Sequence, residues 1–173
     1  MTKLATIEYS KRRKDLMQQL PQGAVVIIQC TPVYIRNGDV EHDYRQDSSF
    51  YYLSGMVEPH TTLVLVNGPE GCSSNIFCRS KDKLQEIWHG RRLGVDAAPH
   101  TLMIDNAYTS ETLVAQLIEL LDGASQVVFG FSRDNTAELV QQSLSKLRGL
   151  SRQGKISPTQ LVDLDPLVDA MRL

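Results

Sequence analysis

The run Ala24-Val25-Val26-Ile27-Ile28 constrains the fold most. It is too short for a helix, mostly β-branched, and has no polar face. A strand of this kind must be covered on both sides, which a layered α/β domain provides and a half-solvated antiparallel sheet does not. The preceding Pro21-Gln22-Gly23 turn sets where it starts.

Similar reasoning predicts strands at 50–53, 61–66 and 75–79, the last two separated by the turn Asn67-Gly68-Pro69-Glu70-Gly71, which together resemble a meander. Helical periodicity predicts a surface helix at 6–20, with Thr6 as its cap and Pro21 as its stop. Further helices are expected at 81–88, at 111–121 behind Ser110, and at 136–147 behind Asp134 and Asn135. A strand at Gln126–Phe129 lies between the last two. This interleaving predicts a three-layer α/β domain with a mixed central β-sheet flanked by helices.

A chain of 173 residues, 42% hydrophobic, is enough for one compact domain over 1–173. Beyond Gly149 the composition turns polar. Asp165 and Pro166 then suit the cap and first turn of an amphipathic helix that has barely begun at Leu173.

A formal net charge of −2 provides no basic field for a phosphate backbone, so nucleic acid is not an expected partner. No apolar run approaches the roughly 20 residues that span a bilayer. The start of the chain turns polar before any sustained apolar stretch, so it does not read as a secretory signal and a cytoplasmic location is expected. Cys30, Cys72 and Cys78 are odd in number and form no CxxC pair, which predicts reduced, mostly buried thiols.

Catalytic patterns are missing. His42, His60, His89 and His100 have no HExxH spacing, and Glu41-His42-Asp43 reads as a solvated loop. Gly130-Phe131-Ser132-Arg133-Asp134 lacks the second glycine of a nucleophile elbow and reads as a strand-to-helix loop with capping residues. No dinucleotide or triphosphate loop occurs. Gly90-Arg91-Arg92-Leu93-Gly94 reads as a helix end, with Gly90 as the stop and the arginines near the final carbonyls. Leu84, Ile87 and Trp88 share helical spacing, which by itself predicts packing into the core. Arg45 and Asp47 precede an apolar segment and are expected to anchor its loop as an ion pair.

Two strings go beyond generic pattern: Tyr44-Arg45-Gln46-Asp47-Ser48-Ser49-Phe50-Tyr51-Tyr52-Leu53-Ser54-Gly55 and Glu86-Ile87-Trp88-His89-Gly90-Arg91-Arg92-Leu93-Gly94. With the terminal Met171-Arg172-Leu173, they resemble the amino-terminal domain of the aminopeptidase P family, over essentially the whole chain. The resemblance implies a ribonuclease-H-like mixed sheet followed, in the complete protein, by a pita-bread catalytic domain that is not within these residues. There, two Asp, one His and two Glu hold two divalent metals, usually manganese, and the metals generate the attacking hydroxide. No position of this sequence corresponds to those ligands.

By the same resemblance, the complete protein is a homo-oligomer, dimer or tetramer, that removes the first residue from peptides with proline in second place. Trp88 matches the tryptophan that reaches toward a neighbouring subunit's active site, as a rigid apolar face for a proline-containing peptide. Asp39 and Arg152 match residues that make polar contacts across the domain boundary near the active-site entrance. His89 departs from the family, where an aromatic residue such as Phe is common. The resemblance leaves room for a metal-less relative that binds peptides or proteins. Prolidase-type dipeptidases and creatinases are disfavoured by the Ile-Trp-x-Gly-Arg-Arg string.

Overall fold

The computed structural model describes residues 3–38 and 40–173. Its chain runs α1 (Lys3–Gln18), β1 (Ala24–Gln29), β2 (Ile35–Asn37), β3 (Val40–Glu41), α2 (Ser48–Ser54), β4 (Thr62–Gly68) and β5 (Gly71–Cys78). It continues through α3 (Lys83–His89), α4 (Gly94–Leu102), β6 (Asn106–Thr109), α5 (Leu113–Leu121), β7 (Gln126–Phe129), α6 (Asp134–Gly149), β8 (Leu161–Asp163) and α7 (Asp165–Arg172).

One mixed sheet is ordered β6-β5-β4-β1-β7-β8, with a separate β2-β3 hairpin. β1 lies at its middle, antiparallel to β4 with Val26 opposite Leu65, and parallel to β7 with Val25 opposite Val127. Of the expected meander, β1, β4 and β5 pair in order as antiparallel neighbours, without the strand expected at 50–53. Period-two geometry sends Ala24, Val26 and Ile28 into one core and Val25 and Ile27 into another. The first core is closed by Leu16 and Met17 of α1, Phe50 and Leu53 of α2, Leu102 of α4 and Val168 of α7. The second is closed by Leu117 and Leu121 of α5 and Leu139 to Leu147 of α6. The expected three layers are present, and α3 belongs to neither core.

Four local expectations are corrected. Residues 50–53 form helix α2, not a strand. The Asp47 carboxylate accepts the Phe50 amide at 2.8 Å, and Gly55, at φ 68°, returns its N–H to the Tyr51 carbonyl. Phe50 and Leu53 are therefore buried one helical turn apart. Thr6 lies within α1 and is not its cap, and α1 is a core helix, with Leu16, Met17 and even Arg13 buried. Ser110 does not cap α5; its hydroxyl donates to the His60 carbonyl at 3.0 Å. Asp165 lies in the first turn of α7, its carboxylate bound to Ser132 and Arg133.

Arg133 is the centre of a clamp the sequence assigned elsewhere. The expected pair Arg45 with Asp47 does not form: Arg45 is exposed, and Asp47 pairs with Arg133, Nε to Oδ2 at 3.2 Å. Arg133 also binds Asp165. The 130–134 loop is indeed a strand-to-helix connection, and a Cβ at Gly130 would overlap the Arg133 guanidinium, so a side chain there would displace that group from its position in the clamp. A second tie joins the motif strings. The Tyr52 hydroxyl donates to the Met171 carbonyl at 2.9 Å, and Arg12 and Arg172 guanidiniums lie 4.2 and 5.3 Å from its ring centre.

Burial works against the charge on Asp165, but hydrogen bonds from Arg133 and Ser132 outweigh it and hold the carboxyl below the usual carboxylate range. A carboxyl depressed in the folded state contributes stability above its unfolded pKa of about 3.9 and loses it as pH falls further. Asp165→Asn is therefore expected to cost about 1 kcal/mol at pH 7, after solvent screening, with the difference from the parent shrinking below about pH 3.9. Urea unfolding at pH 7 and pH 3 measures it, and a difference independent of pH would refute the clamp.

Candidate functional site

α3 presents an apolar stripe that nothing among the described residues covers. Leu84 and Ile87 are each 73% exposed and Trp88 is 81% exposed. The packing expected from their spacing does not occur. Helical periodicity is present, but the stripe faces water. A helix of this length has little intrinsic stability, so its ends hold it. The Asp82 carboxylate accepts the Leu84 and Gln85 amides at 3.0 and 3.2 Å, and Gly90 ends the helix at φ 81°.

The Gly90–Gly94 stretch is fixed at its base. The Glu86 carboxylate accepts the Arg92 amide at 2.7 Å, and Glu58 accepts the Leu93 amide at 2.6 Å. The Arg92 guanidinium donates to the Ser80 carbonyl at 3.1 Å, so Gly90 stops α3 as expected while this arginine turns to the segment between β5 and α3 rather than to the helix's last carbonyls. Arg79 lies 3.5 Å from the other Glu58 oxygen. Trp88 thus projects into solvent from the last turn of α3, just before this tied-down stretch.

Beside Trp88 is an open hollow of about 540 Å³, whose far wall includes Val33, Tyr44 and Pro59. The Tyr44 hydroxyl donates to the Thr31 carbonyl at 3.1 Å. Burial, with the Cys30 thiol nearby, raises the Tyr44 phenol above its ordinary value and keeps it a donor. Gln46 reinforces this wall, accepting the Thr31 amide and donating to the Met56 and Glu58 carbonyls. Sequence reasoning missed Gln46, although it sits inside the quoted motif.

Of the other assigned residues, Arg152 is not brought to this hollow. Arg152 is exposed on a 3₁₀ turn, Ser151–Gln153, after α6, and Asp39 lies outside the described residues. Among the described residues no group of three or more His, Cys, Asp or Glu side chains is placed to hold a metal ion. Cys30 and Cys78 are buried and Cys72 is exposed, and all three are free thiols. Burial raises the Cys78 thiol to about 11. No helix among the described residues is long and apolar enough to cross a membrane.

Comparison with known proteins agrees with this architecture. The family model described as "Aminopeptidase P, N-terminal domain" matches residues 9–129. Xaa-Pro aminopeptidase of Escherichia coli is 37% identical over 175 residues, covering 100% of this chain and 40% of the relative. Human Xaa-Pro aminopeptidase 3 is 28% identical, covering 92% of this chain and 34% of its own length. A solved structure of E. coli aminopeptidase P in its low pH form superposes with a TM-score of 0.93 at 37% identity, over 97% of this chain and 39% of that one. The chain thus spans about two fifths of the length of the E. coli relative. By the family model and by fold, this chain belongs to the aminopeptidase P N-terminal domain family.

Proposed function

We propose that this chain is the non-catalytic amino-terminal domain of an Xaa-Pro aminopeptidase, which releases the first residue from peptides with proline in second place. The observation that carries the reading is a match along the whole chain to the leading two fifths of a protein named for that activity. The described residues do not fit a two-metal centre, so no catalytic step is assigned to them. In this reading two divalent ions, manganese by family resemblance, are held by a separate catalytic domain, and the hydroxide they generate attacks the bond before proline. Three free thiols suit a cytoplasmic enzyme.

The role of this domain is to present Trp88 to a neighbouring subunit of a homo-oligomer. An exposed indole on the last turn of a capped helix supplies a flat apolar face for a proline-containing peptide at low conformational cost. Arg152 and Asp39 are assigned to the entrance by family resemblance.

The test joins the chain to its downstream sequence and assays peptides with manganese. Turnover is expected for Xaa-Pro and not Xaa-Ala peptides, and no turnover overturns the reading. Trp88→Ala in that protein is expected to lower kcat/KM about tenfold or more while leaving the melting temperature unchanged, because the side chain is not part of either core. Unaltered kinetics would remove Trp88 from the site.

A further inference from the structure

The hollow beside Trp88 has a charge pattern that an apolar platform does not need. Arg79, Arg92, His60 and His89 line it, together with Trp88, and among the described residues no acidic side chain does. Glu86 and Glu58, the carboxylates that tie down the Gly90–Gly94 stretch, are both partnered, Glu58 in part by Arg79 itself. Glu86 binds the Arg92 backbone amide, and Glu58 binds the Leu93 amide while sitting 3.5 Å from Arg79. The Arg92 guanidinium therefore donates to a neutral carbonyl, that of Ser80, and pairs with no carboxylate among the described residues. The Nε atoms of both arginines are buried and without a hydrogen-bond partner.

A guanidinium has five N–H donors and no acceptor, so Arg92, with one donor on the Ser80 carbonyl, retains capacity for an anion, and Arg79, paired with Glu58, adds positive charge beside it. His60 adds a conformational sign. It is one of two non-glycine residues at positive φ among the described residues, at 55°, and it is held there by the Ser110 hydroxyl on its carbonyl. Such a conformation costs about 1 kcal/mol or more and is concentrated at binding sites. It fixes the lip of the hollow opposite α3.

We propose that this hollow is an anion subsite that receives the C-terminal carboxylate of a short proline-containing peptide whose apolar body lies against Trp88. The proposal rests on the aminopeptidase reading for the identity of the anion as a peptide carboxylate. Arg92 is its principal partner and Arg79 its second. The apolar flank of Trp88, Pro59 and Val33 beside the cations suits a peptide end better than a bare phosphate, which offers charge and no apolar surface. The hollow would make the oligomer favour short peptides with a free carboxyl terminus near the cleaved bond.

Trp88 is the only tryptophan in the chain, so its fluorescence reports this site alone. The 173-residue chain is titrated with Ala-Pro-Ala, with the same peptide as its C-terminal amide, and with inorganic phosphate. The carboxylate peptide is expected to bind about tenfold more tightly than the amide at low salt, the worth of one charge-assisted contact. That ratio should fall to within about twofold in 1 M salt and in Arg92→Met. Arg79→Met is a second variant, needed because Arg92 also supports its loop, and the salt titration of the unaltered chain requires no variant. Equal binding of the two peptides, no fluorescence response, a ratio indifferent to salt, or tighter binding of phosphate than of either peptide would overturn the proposal. None of these outcomes bears on whether the extended protein cleaves Xaa-Pro bonds, so the two readings fail separately.

Discussion

Gly55→Ala is expected to destabilise the chain by about 3 kcal/mol, lowering the melting temperature by about 10 °C. Two causes add. Gly55 ends α2 at φ 68°, a left-handed conformation that costs a residue with a Cβ about 1 to 2 kcal/mol. A methyl group there would also overlap the Tyr9 ring, and Tyr9 is itself buried and edge-on to Tyr51, with ring centres 5.7 Å apart. Forcing extra volume into a packed site costs about 1 to 3 kcal/mol more. Gly123→Ala isolates the first cause, because Gly123 has φ 72° and open space where its Cβ would stand. Thermal unfolding of the two variants separates the terms. Equal losses would mean that α1 moves aside and that its contact with α2 is loose.

Arg13→Met is expected to cost about 4 kcal/mol, mainly through the acceptors left behind. The Arg13 guanidinium donates to the carbonyls of Leu53, Leu102 and Met103 at 2.9, 3.0 and 2.6 Å, closing the ends of α2 and α4 against α1. Burial pulls its pKa down to about 10, partly opposed by Asp105, so it stays charged at neutral pH. Replacing a buried ion with an apolar side chain is often harmless when its partners are also replaced, but backbone carbonyls cannot be. Each carbonyl left without a donor costs about 1 to 3 kcal/mol. Met103, at φ 50°, would lose the bond that accompanies its left-handed turn. Arg13→Lys keeps the charge but not the planar fork, and an intermediate loss is expected. Urea unfolding measures all three chains, and an Arg13→Met loss under about 1 kcal/mol would show that water replaces the guanidinium.

The strands with contiguous apolar residues were legible because burial on two faces leaves no other reading of Ala24–Gln29 or Gln126–Phe129. α2 was not. Phe50 and Leu53 fit a strand or a helix in so short a window, and the deciding residues, Asp47 and Gly55, stand outside it. α4 was hidden by Pro99 within it, and β6 and β8 are too short and too exposed to show a period. Periodicity located α3 but could not say what covers it. The motif, not the period, singled out Trp88, whose exposure then argued against the packing expectation. Arg133 was invisible for a different reason. Its partners Asp47 and Asp165 lie far off in sequence, whereas Arg45, close by, made the more obvious pair and proved exposed.

The place of β1 at the middle of the sheet has a consequence during synthesis. Its partner on one side, β4, is about 40 residues further along, and its partner on the other, β7, about 100. A ribosome adding about 5 to 20 residues per second needs several seconds to make the stretch between them. Throughout that interval the nascent β1-β4-β5 meander has an open edge of unpaired backbone groups, among the most apolar residues in the chain. The period when a newly made copy is most apt to adhere to another is thus set by the spacing of β4 and β7 along the chain, and not by how stable the finished domain becomes.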